Sequence, residues 1–303
     1  MSSTELKPAP ASTLAAGQYR RERSRLADFS RAVFRSTPGK IGGVLIAFVV
    51  LIAIFAPLIA PYDPTAIHPS IRLSSPSAAH LFGTDQIGRD VFSRVIYGSR
   101  IDLRVGVIAV AIALVIGVTA GIVAGYYGGL VDSVIMRLVD IMLAFPGFLL
   151  ALAIIAMLGP SLSNALIAVG IGESTGFARL VRSSVLSIKE EDYVMAAKVI
   201  GAPSGYIMRT QVLRNALSPI IVLATLEFPV AILIAAGLSF LGLGAQPPTP
   251  EWGAMLVDGR TYIQQAPWLM DFPGLAIFIT VLGFNLFGNA IRDAMDPRLR
   301  GQR

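Results

Sequence analysis

The sequence predicts an all-α membrane protein with six transmembrane helices, and three observations lead to this prediction. Hydrophobic residues make up 54% of the 303-residue chain, charged residues make up only 15%, and the mean hydropathy is +0.68. A soluble domain of this length does not need so much apolar material. Long runs without charge recur, each able to cross a bilayer core about 30 Å thick. Basic residues collect in alternate connections, which is typical of cytoplasmic segments.

The first 40 residues precede any apolar run, and we predict that they form a disordered cytoplasmic tail. From Arg20 onward this tail is strongly basic, with Arg20, Arg21, Arg23, Arg25, Arg31, Arg35 and Lys40. An adjacent arginine pair is a feature of twin-arginine export signals. However, the apolar run begins about twenty residues after the pair and is too long for a signal peptide. We therefore interpret this run as an uncleaved first span.

Segments containing Gly, Pro or clustered charge separate the predicted spans. The six spans cover residues 41–60, 103–125, 138–159, 163–181, 216–243 and 272–291 of one domain, 41–303. An even number of spans places both termini on the cytoplasmic side. The connection from 182 to 215 carries five basic residues, whereas the predicted outer loop 245–270 carries one, Arg260. The net charge of +6 is therefore explained by basic residues in the predicted cytoplasmic segments. We do not expect a nucleic-acid-binding surface.

The predicted outer segment, residues 61–102, has nearly balanced charge. Its candidate functional residues are Asp85, Arg89, Asp90 and Arg94. Apolar residues at helical spacing from Val91 to Ile96 predict a short helix that lies on the membrane surface. We expect a solvated set of structural salt bridges here. The alternative is that these charges contact an external protein.

Polar and small residues inside the spans give two further predictions. Gly117, Gly121 and Gly125 share one face of the second span, a spacing that predicts close helix packing rather than a phosphate-binding loop.

Glu173 and Glu227 fall inside apolar spans, where an ionised side chain costs about 2.5 to 3.5 kcal/mol. We predict that they line a solute path, with Asn285 as a third candidate. The alternative for the glutamates is structural pairing or a protonated hydrogen bond between helices.

Several enzyme classes are excluded by the residue types present. The run 172–176 matches the G-x-S-x-G pattern of serine hydrolases, but it lies in an apolar helix, and the two histidines, His68 and His80, are in the predicted outer segment. No phosphate-binding G-x-x-x-x-G-K-[ST] pattern occurs, and there is no cysteine. We therefore predict no catalytic, cofactor or metal site in this chain, and an energy source on another chain.

The connection at 186–215 predicts two short helices joined by a sharp bend. Acidic residues at 190–192 suit a helix N-terminus, and apolar residues recur at helical spacing at Tyr193, Ala197 and Ile200. Gly201 ends this helix, and the Pro-Ser pair at 203–204 starts the next. An amphipathic helix pair outside the membrane needs a partner for its apolar face. Packing on the ends of its own spans is the alternative.

This connection resembles the EAA coupling loop of ABC importer permeases, through the Ala196, Ala197 and Gly201 spacing. In that family the loop forms a helix that enters a groove on an ATPase subunit. The resemblance implies that the coupling residues are Glu191, Tyr193, Met195, Ala196, Ala197, Ile200, Gly201 and Arg209. Met195 departs from the family glutamate, and Arg214 stands where a proline is common.

Three more stretches extend the resemblance to about residues 40–300. The segments 80–94, 239–253 and 292–298 are similar in order and spacing to the second permease of the dipeptide, oligopeptide and nickel subfamily, although Asn289 replaces a common acidic residue. The resemblance implies type I importer architecture in the bacterial inner membrane. It also implies a homologous second permease, two ATPase subunits that bind ATP and Mg, and an external solute-binding protein.

The implied function is import of di- or oligopeptides, with this chain forming half of the translocation pathway. A nickel importer of the same family is one alternative, although the spans contain no His- or Cys-rich cluster. An ion-coupled secondary transporter is another, but we find no internal repeat of the kind such proteins carry. The third alternative is a structural or regulatory membrane protein that transports nothing.

Overall fold

The computed structural model describes residues 29–295, and within this range every regular element longer than three residues is helical. We number the helices α1 (Thr37–Ile59), α2 (Val91–Tyr127), α3 (Gly129–Leu143), α4 (Gly147–Leu158), α5 (Leu162–Ile188), α6 (Asp192–Val199), α7 (Ser204–Phe240), α8 (Trp252–Arg260) and α9 (Trp268–Met295). A 3-10 turn lies at Pro69–Ile71, and one π-helical turn, Met208–Val212, lies within α7. The prediction of an all-α protein is confirmed for the described residues.

Four helices, α1, α2, α7 and α9, are long and apolar enough to cross a membrane. The predicted span 138–159 is not one straight helix: α3 and α4 meet at a bend of 96°. Pro146 causes the break, because proline has no N–H and disfavours helical backbone at the residue before it. If this bent pair is one span, the described residues contain up to five. The predicted span 163–181 lies in α5, which is continuous but too polar to meet the same criterion.

Helical backbone already begins at residue 29, ahead of α1, so the predicted boundary of a disordered tail at residue 40 is too late for the described residues. Residues 29–35 are helical, and Val33 is buried against Ala290 and Ile291 of α9. The reason is an apolar face formed by Phe29 and Val33, which are four residues apart. Residues 1–28 and 296–303, with four of the predicted tail arginines and the last three arginines of the chain, lie outside the described part.

The centre of the bundle is formed where α2 packs along α5. A Cβ atom added at Gly117 would lie 2.3 Å from the carbonyl oxygen of Ser174, and one at Gly121 would lie 2.6 Å from that of Ala178. At Gly125 it would lie 2.8 Å from the Cβ atom of Val185. The absence of side chains at these three positions therefore lets the two backbones approach closely. This contact fixes α5 and the charged residues that it carries.

The predicted short surface helix at 91–96 is the beginning of α2. Asp90 caps α2, because its Oδ2 accepts a hydrogen bond from the backbone N–H of Ser93 at 2.7 Å. No helix breaker follows, so the helix continues for 37 residues. Val91, Val95 and Ile96 are buried within the protein. The apolar spacing that suggested membrane-surface contact therefore reflects packing inside the protein.

Candidate functional site

The connection between α5 and α7 contains α6 and a tight turn. The backbone carbonyl of Glu191 accepts hydrogen bonds from Val194 N (2.9 Å) and Met195 N (3.1 Å), which begins the helix. Gly201 ends the turn with a φ of +81°, a conformation that favours glycine. The predicted second short helix is not separate, because helical backbone runs from Ser204 to Phe240. The turn therefore joins α6 directly to a long, apolar helix.

α6 presents two different faces. Val194 and Ala197, three residues apart, are 0% and 9% exposed, and they pack with residues of α5 and α7. Of the three residues whose spacing predicted one apolar face, Ala197 is turned inward, whereas Tyr193 and Ile200 are 42% and 82% exposed. The inward residues hold α6 in place and leave other apolar side chains uncovered.

We call the uncovered apolar residues the α6 surface, which consists of Tyr193, Met195, Val199, Ile200 and Tyr206. Ala196, Glu191, Gly201 and Arg209 are exposed beside it. Among the predicted coupling residues only Ala197 is turned inward. Two lysines fix the segment to the end of α2: Lys189 Nζ donates to the carbonyl of Gly125 at 3.2 Å, and Lys198 lies 5.6 Å from the ring centre of Tyr126.

Two ion pairs join α3 to α5. Arg182 donates to both carboxylate oxygens of Asp132, at 2.5 and 2.6 Å, and Arg179 donates to Asp140 at 2.8 Å. The side chains of Arg179 and Asp140 are 60% and 57% exposed. Neither pair was predicted from the sequence. The sequence feature that could have predicted them is the presence of opposite charges at the edges of neighbouring apolar runs.

The structure brings together the two glutamates that the sequence marked separately. Glu173 on α5 and Glu227 on α7 are half-buried, and their carboxyl groups lie in hydrogen-bond contact. A hydrogen bond between two carboxyl groups requires one proton between them, because ionised carboxylates only accept. Asn285 does not join this pair, since its Nδ2 donates to the carbonyl of Val281 in its own helix.

The charged residues of the 61–102 segment form a buried network instead of a solvated one. Asp85, Arg89, Asp90 and Arg94 are each less than 5% exposed. Arg89 Nε lies 2.5 Å from Asp85, and its Nη2 lies 3.0 Å from Asp258 of α8, a partner that the sequence did not indicate. Arg94 donates to the carbonyls of Pro64 and Pro248, 3.2 and 3.4 Å away. This network ties three separate stretches of chain together.

A family model described as the inner membrane component of binding-protein-dependent transport systems matches residues 117–301. The chain belongs to this family. A second model, the N-terminal transmembrane domain of oligopeptide transport permease C, matches residues 24–76 of the permease. The family membership predicted from the motifs is therefore confirmed. The permease is a multi-pass inner-membrane protein. The family consists of transport components, in agreement with the prediction that the permease is not an enzyme.

Three relatives indicate where the permease lies within the family. It is 55% identical to a dipeptide transport system permease protein of Alkalihalophilus pseudofirmus, with 86% of each chain covered. It is 47% identical to a probable D,D-dipeptide transport system permease protein of Escherichia coli K12, over 86% of this chain and 87% of the relative. A glutathione transport system permease protein of Shigella flexneri is also 47% identical, with coverage of 90% and 91%.

Among solved structures, the permease is similar to a chain of the inward-facing MetNI methionine ABC transporter. The TM-score is 0.54 at 20% sequence identity, and the match covers 67% of the permease and 96% of that chain. This likeness supports an importer-permease fold. The matched family region 117–301 contains both α6 and the Glu173–Glu227 pair.

Proposed function

We propose that this chain is one permease subunit of an ATP-driven importer of di- or oligopeptides and forms half of its translocation pathway. The observation that carries the proposal is the 55% identity, over 86% of both chains, to a dipeptide transport system permease. The other two relatives above are named for a D,D-dipeptide and for glutathione. All three solutes are small peptides or close peptide derivatives.

The α6 surface is the proposed contact with the ATPase subunits, which bind ATP and Mg. Val199 and Ile200 are 86% and 82% exposed although both are apolar. A short helix with such a surface fits the groove of a partner protein, where these side chains would be removed from water. The small side chain of the exposed Ala196 allows a close approach, and the glycine turn permits α6 to project.

The continuous α7 is the proposed route by which movement of α6 reaches the membrane. Ser204, at the turn, and Glu227 are on the same helix, about 35 Å apart at 1.5 Å per residue. Because α7 has no break between them, displacement of the turn moves the carboxyl pair. An ATPase changes the equilibrium between inward and outward openings only if it binds the two states with different affinity.

We place the solute path along the facing sides of α3, α5 and α7. The exposed Arg179–Asp140 pair would be costly against lipid, so it is expected to face water or a partner subunit. Glu173 lies six residues before Arg179 on α5, about 9 Å along the helix axis. Such a path offers both signs of charge to a peptide with a free ammonium group and a free carboxylate.

The remaining architecture follows the family pattern. We propose six spans, with α5 and the bent α3–α4 pair completing the set, both termini in the cytoplasm, and a homologous second permease that forms the other half of the path. An external solute-binding protein delivers the peptide at the end where α2 begins. There the burial of Asp85, Arg89, Asp90 and Arg94 supports a structural role for these four residues.

Purification of the intact complex followed by reconstitution tests this function. Two ATPase chains and a second permease are expected to copurify, and uptake of a labelled dipeptide is expected to require ATP, Mg and the binding protein. Uptake at full rate without an ATPase, or ion-driven uptake by a lone oligomer of this chain, would contradict the import mechanism. Transport of nickel without any peptide transport would contradict the substrate class.

We predict that Glu227→Gln lowers dipeptide uptake by about tenfold or more. The change removes the acidic group of Glu227 while keeping its size, and a hydrogen bond to a charged group contributes about 1.5 to 3 kcal/mol. Uptake should be compared between a free dipeptide and its N-acetylated form. Asn285→Ala is the matched control and should have little effect, because Asn285 bonds within its own helix. Unchanged uptake of all peptides by Glu227→Gln would remove this residue from the path.

A further inference from the structure

Two buried carboxyl groups meet at the end of the bundle where α2 begins, outside the sites described above. Asp102 lies on α2, and Glu251 immediately precedes α8; each residue is 1% exposed. Their carboxyl groups are in hydrogen-bond contact. Carboxylates are rarely buried without a cation or several hydrogen-bond donors. This contact therefore needs a physical explanation.

No basic residue within 29–295 forms an ion pair with Asp102 or Glu251. On α2, Arg94 is turned toward Asp85, Asp258 and two backbone carbonyls, and neither Arg100 nor Arg104 forms an ion pair with the two carboxyl groups. On α8, Asp258 lies close to Arg89 and Arg94, and Arg260 likewise forms no ion pair with the two carboxyl groups. On α9, Asp271 is exposed. The charged group that faces each carboxyl group is the other carboxyl group.

Hydrogen-bond donors are distributed unequally between the two groups. Glu251 Oε1 accepts from the backbone N–H of Gly253 at 3.0 Å, and Oε2 accepts from that of Ala254 at 2.7 Å. The hydroxyl of Ser239 also lies close to Glu251, and the Oγ of Ser239 accepts a hydrogen bond from Ala245 N at 3.1 Å. Asp102 accepts one backbone bond, from Trp252 N to Oδ2 at 3.2 Å.

This arrangement favours an anion at Glu251. Both of its oxygens accept from backbone donors, and it lies at the N-terminus of α8, where negative charge is favourable. Burial raises the pKa of the Glu251 carboxyl, while the hydrogen bonds from Ala254, Gly253 and Ser239 act in the opposite direction. Asp102 has fewer donors and a free position for a hydrogen atom. Since two carboxyl groups in hydrogen-bond contact need one proton, Asp102 is the group that can donate it.

We propose that Asp102 and Glu251 share a single proton, held on Asp102, and that this hydrogen bond fastens α8 to α2. The bond positions α8 and therefore Asp258, which pairs with Arg89 in the buried network. Loss of the proton would leave two negative charges in contact in a buried site, and α8 would separate from α2. The inference concerns the fold of the permease and does not depend on the identity of its solute.

The shared proton gives the stability of the permease a defined pH dependence. In the unfolded chain both carboxyl groups lose their protons near pH 4. The folded chain retains one proton above that pH, so it binds one more proton than the unfolded chain. Stability from this pair is therefore lost as the pH rises, by up to tenfold in the unfolding constant per pH unit.

Thermal unfolding of the full-length permease complex between pH 6 and 9 tests the proposal. Asp102→Asn should keep the wild-type melting temperature at pH 6 and show a smaller decline toward pH 9, because the amide donates to Glu251 and accepts from Trp252 N without a titrating proton. Glu251→Gln should lower the melting temperature at every pH, because its NH₂ group would face a backbone N–H. Asp271→Asn, an exposed carboxylate near the same end, is the control and should change neither quantity.

Three results would overturn the proposal. Equal destabilisation by Asp102→Asn and Glu251→Gln would show that neither group is the preferred proton carrier. The reverse order, with Glu251→Gln tolerated and Asp102→Asn destabilised or unable to fold, would place the proton on Glu251. A wild-type pH dependence that persists in Asp102→Asn would show that no shared proton is lost over this range.

Discussion

The double variant Val199→Glu and Ile200→Glu is expected to lose ATPase binding and peptide uptake while the permease still folds. Both side chains are more than 80% exposed and lie outside the buried contacts that hold α6. If they enter a groove on the ATPase, two buried carboxylates would each be costly. Central interface residues contribute about 2 kcal/mol or more each, which corresponds to about a 30-fold loss of affinity. Copurification of the ATPase chains and ATP-driven uptake measure the effect.

Ile263→Glu is the matched control for this variant. The side chain of Ile263 is 53% exposed and lies in the turn between α8 and α9, away from α6. The same change there should leave ATPase copurification intact. Normal ATPase binding and uptake by the double variant would show that the α6 surface is not the coupling contact.

The position of Ala197, one of the predicted coupling residues, shows why Val199 and Ile200 are the better residues to change. The Ala-Ala-x-x-x-Gly spacing marks Ala197 as a family position, and the sequence gives no sign of which way it points. In the structure it is 9% exposed and packs with Val181, Val185 and Val212. A charge at Ala197 would disturb this packing as well as any partner contact. Charges at Val199 and Ile200 would disturb a partner contact without disturbing this packing, because both side chains are exposed.

The helices best predicted from the sequence were those formed by uninterrupted apolar runs. Residues 41–60 and 272–291 predicted α1 and α9 well, since charge-free stretches leave few alternatives to a helix in a bilayer. The bend between α3 and α4 was visible as Pro146, but a hydropathy average across 138–159 hides a single residue. The polar character of α5 was also visible, through Glu173, and was interpreted as a functional site within an ordinary span.

The pairings in the sites could not be predicted because they depend on tertiary packing. Glu173 and Glu227 are on different helices, and nothing in the sequence between them indicates that they meet. The same holds for Arg89 and Asp258, which are 169 residues apart. The cluster 85–94 was recognised from its local charge, but its burial depends on the cover supplied by α8. Balanced charge was therefore wrongly interpreted as solvation.

Arg89→Glu is expected to prevent accumulation of a folded permease. The change removes the cation that contacts Asp85 and Asp258 and adds a third negative charge in a site where Arg89 is 4% exposed. Breaking a buried pair costs about 3 to 5 kcal/mol because the remaining charge is uncompensated. A domain's whole stability is about 5 to 15 kcal/mol. The yield of monodisperse complex and its melting temperature measure the effect.

Arg72→Glu is the matched control, because Arg72 lies in the same 61–102 segment and is exposed. This reversal should leave the yield and melting temperature near those of the wild type, since exposed charges in high dielectric interact weakly. If Arg89→Glu assembles normally but loses delivery from the binding protein, the network is a docking contact after all. If it also transports normally, the network has neither role. The buried, three-way contact of Arg89 with Asp85 and Asp258 favours the structural outcome, because an arginine so fully enclosed has little surface to offer a partner.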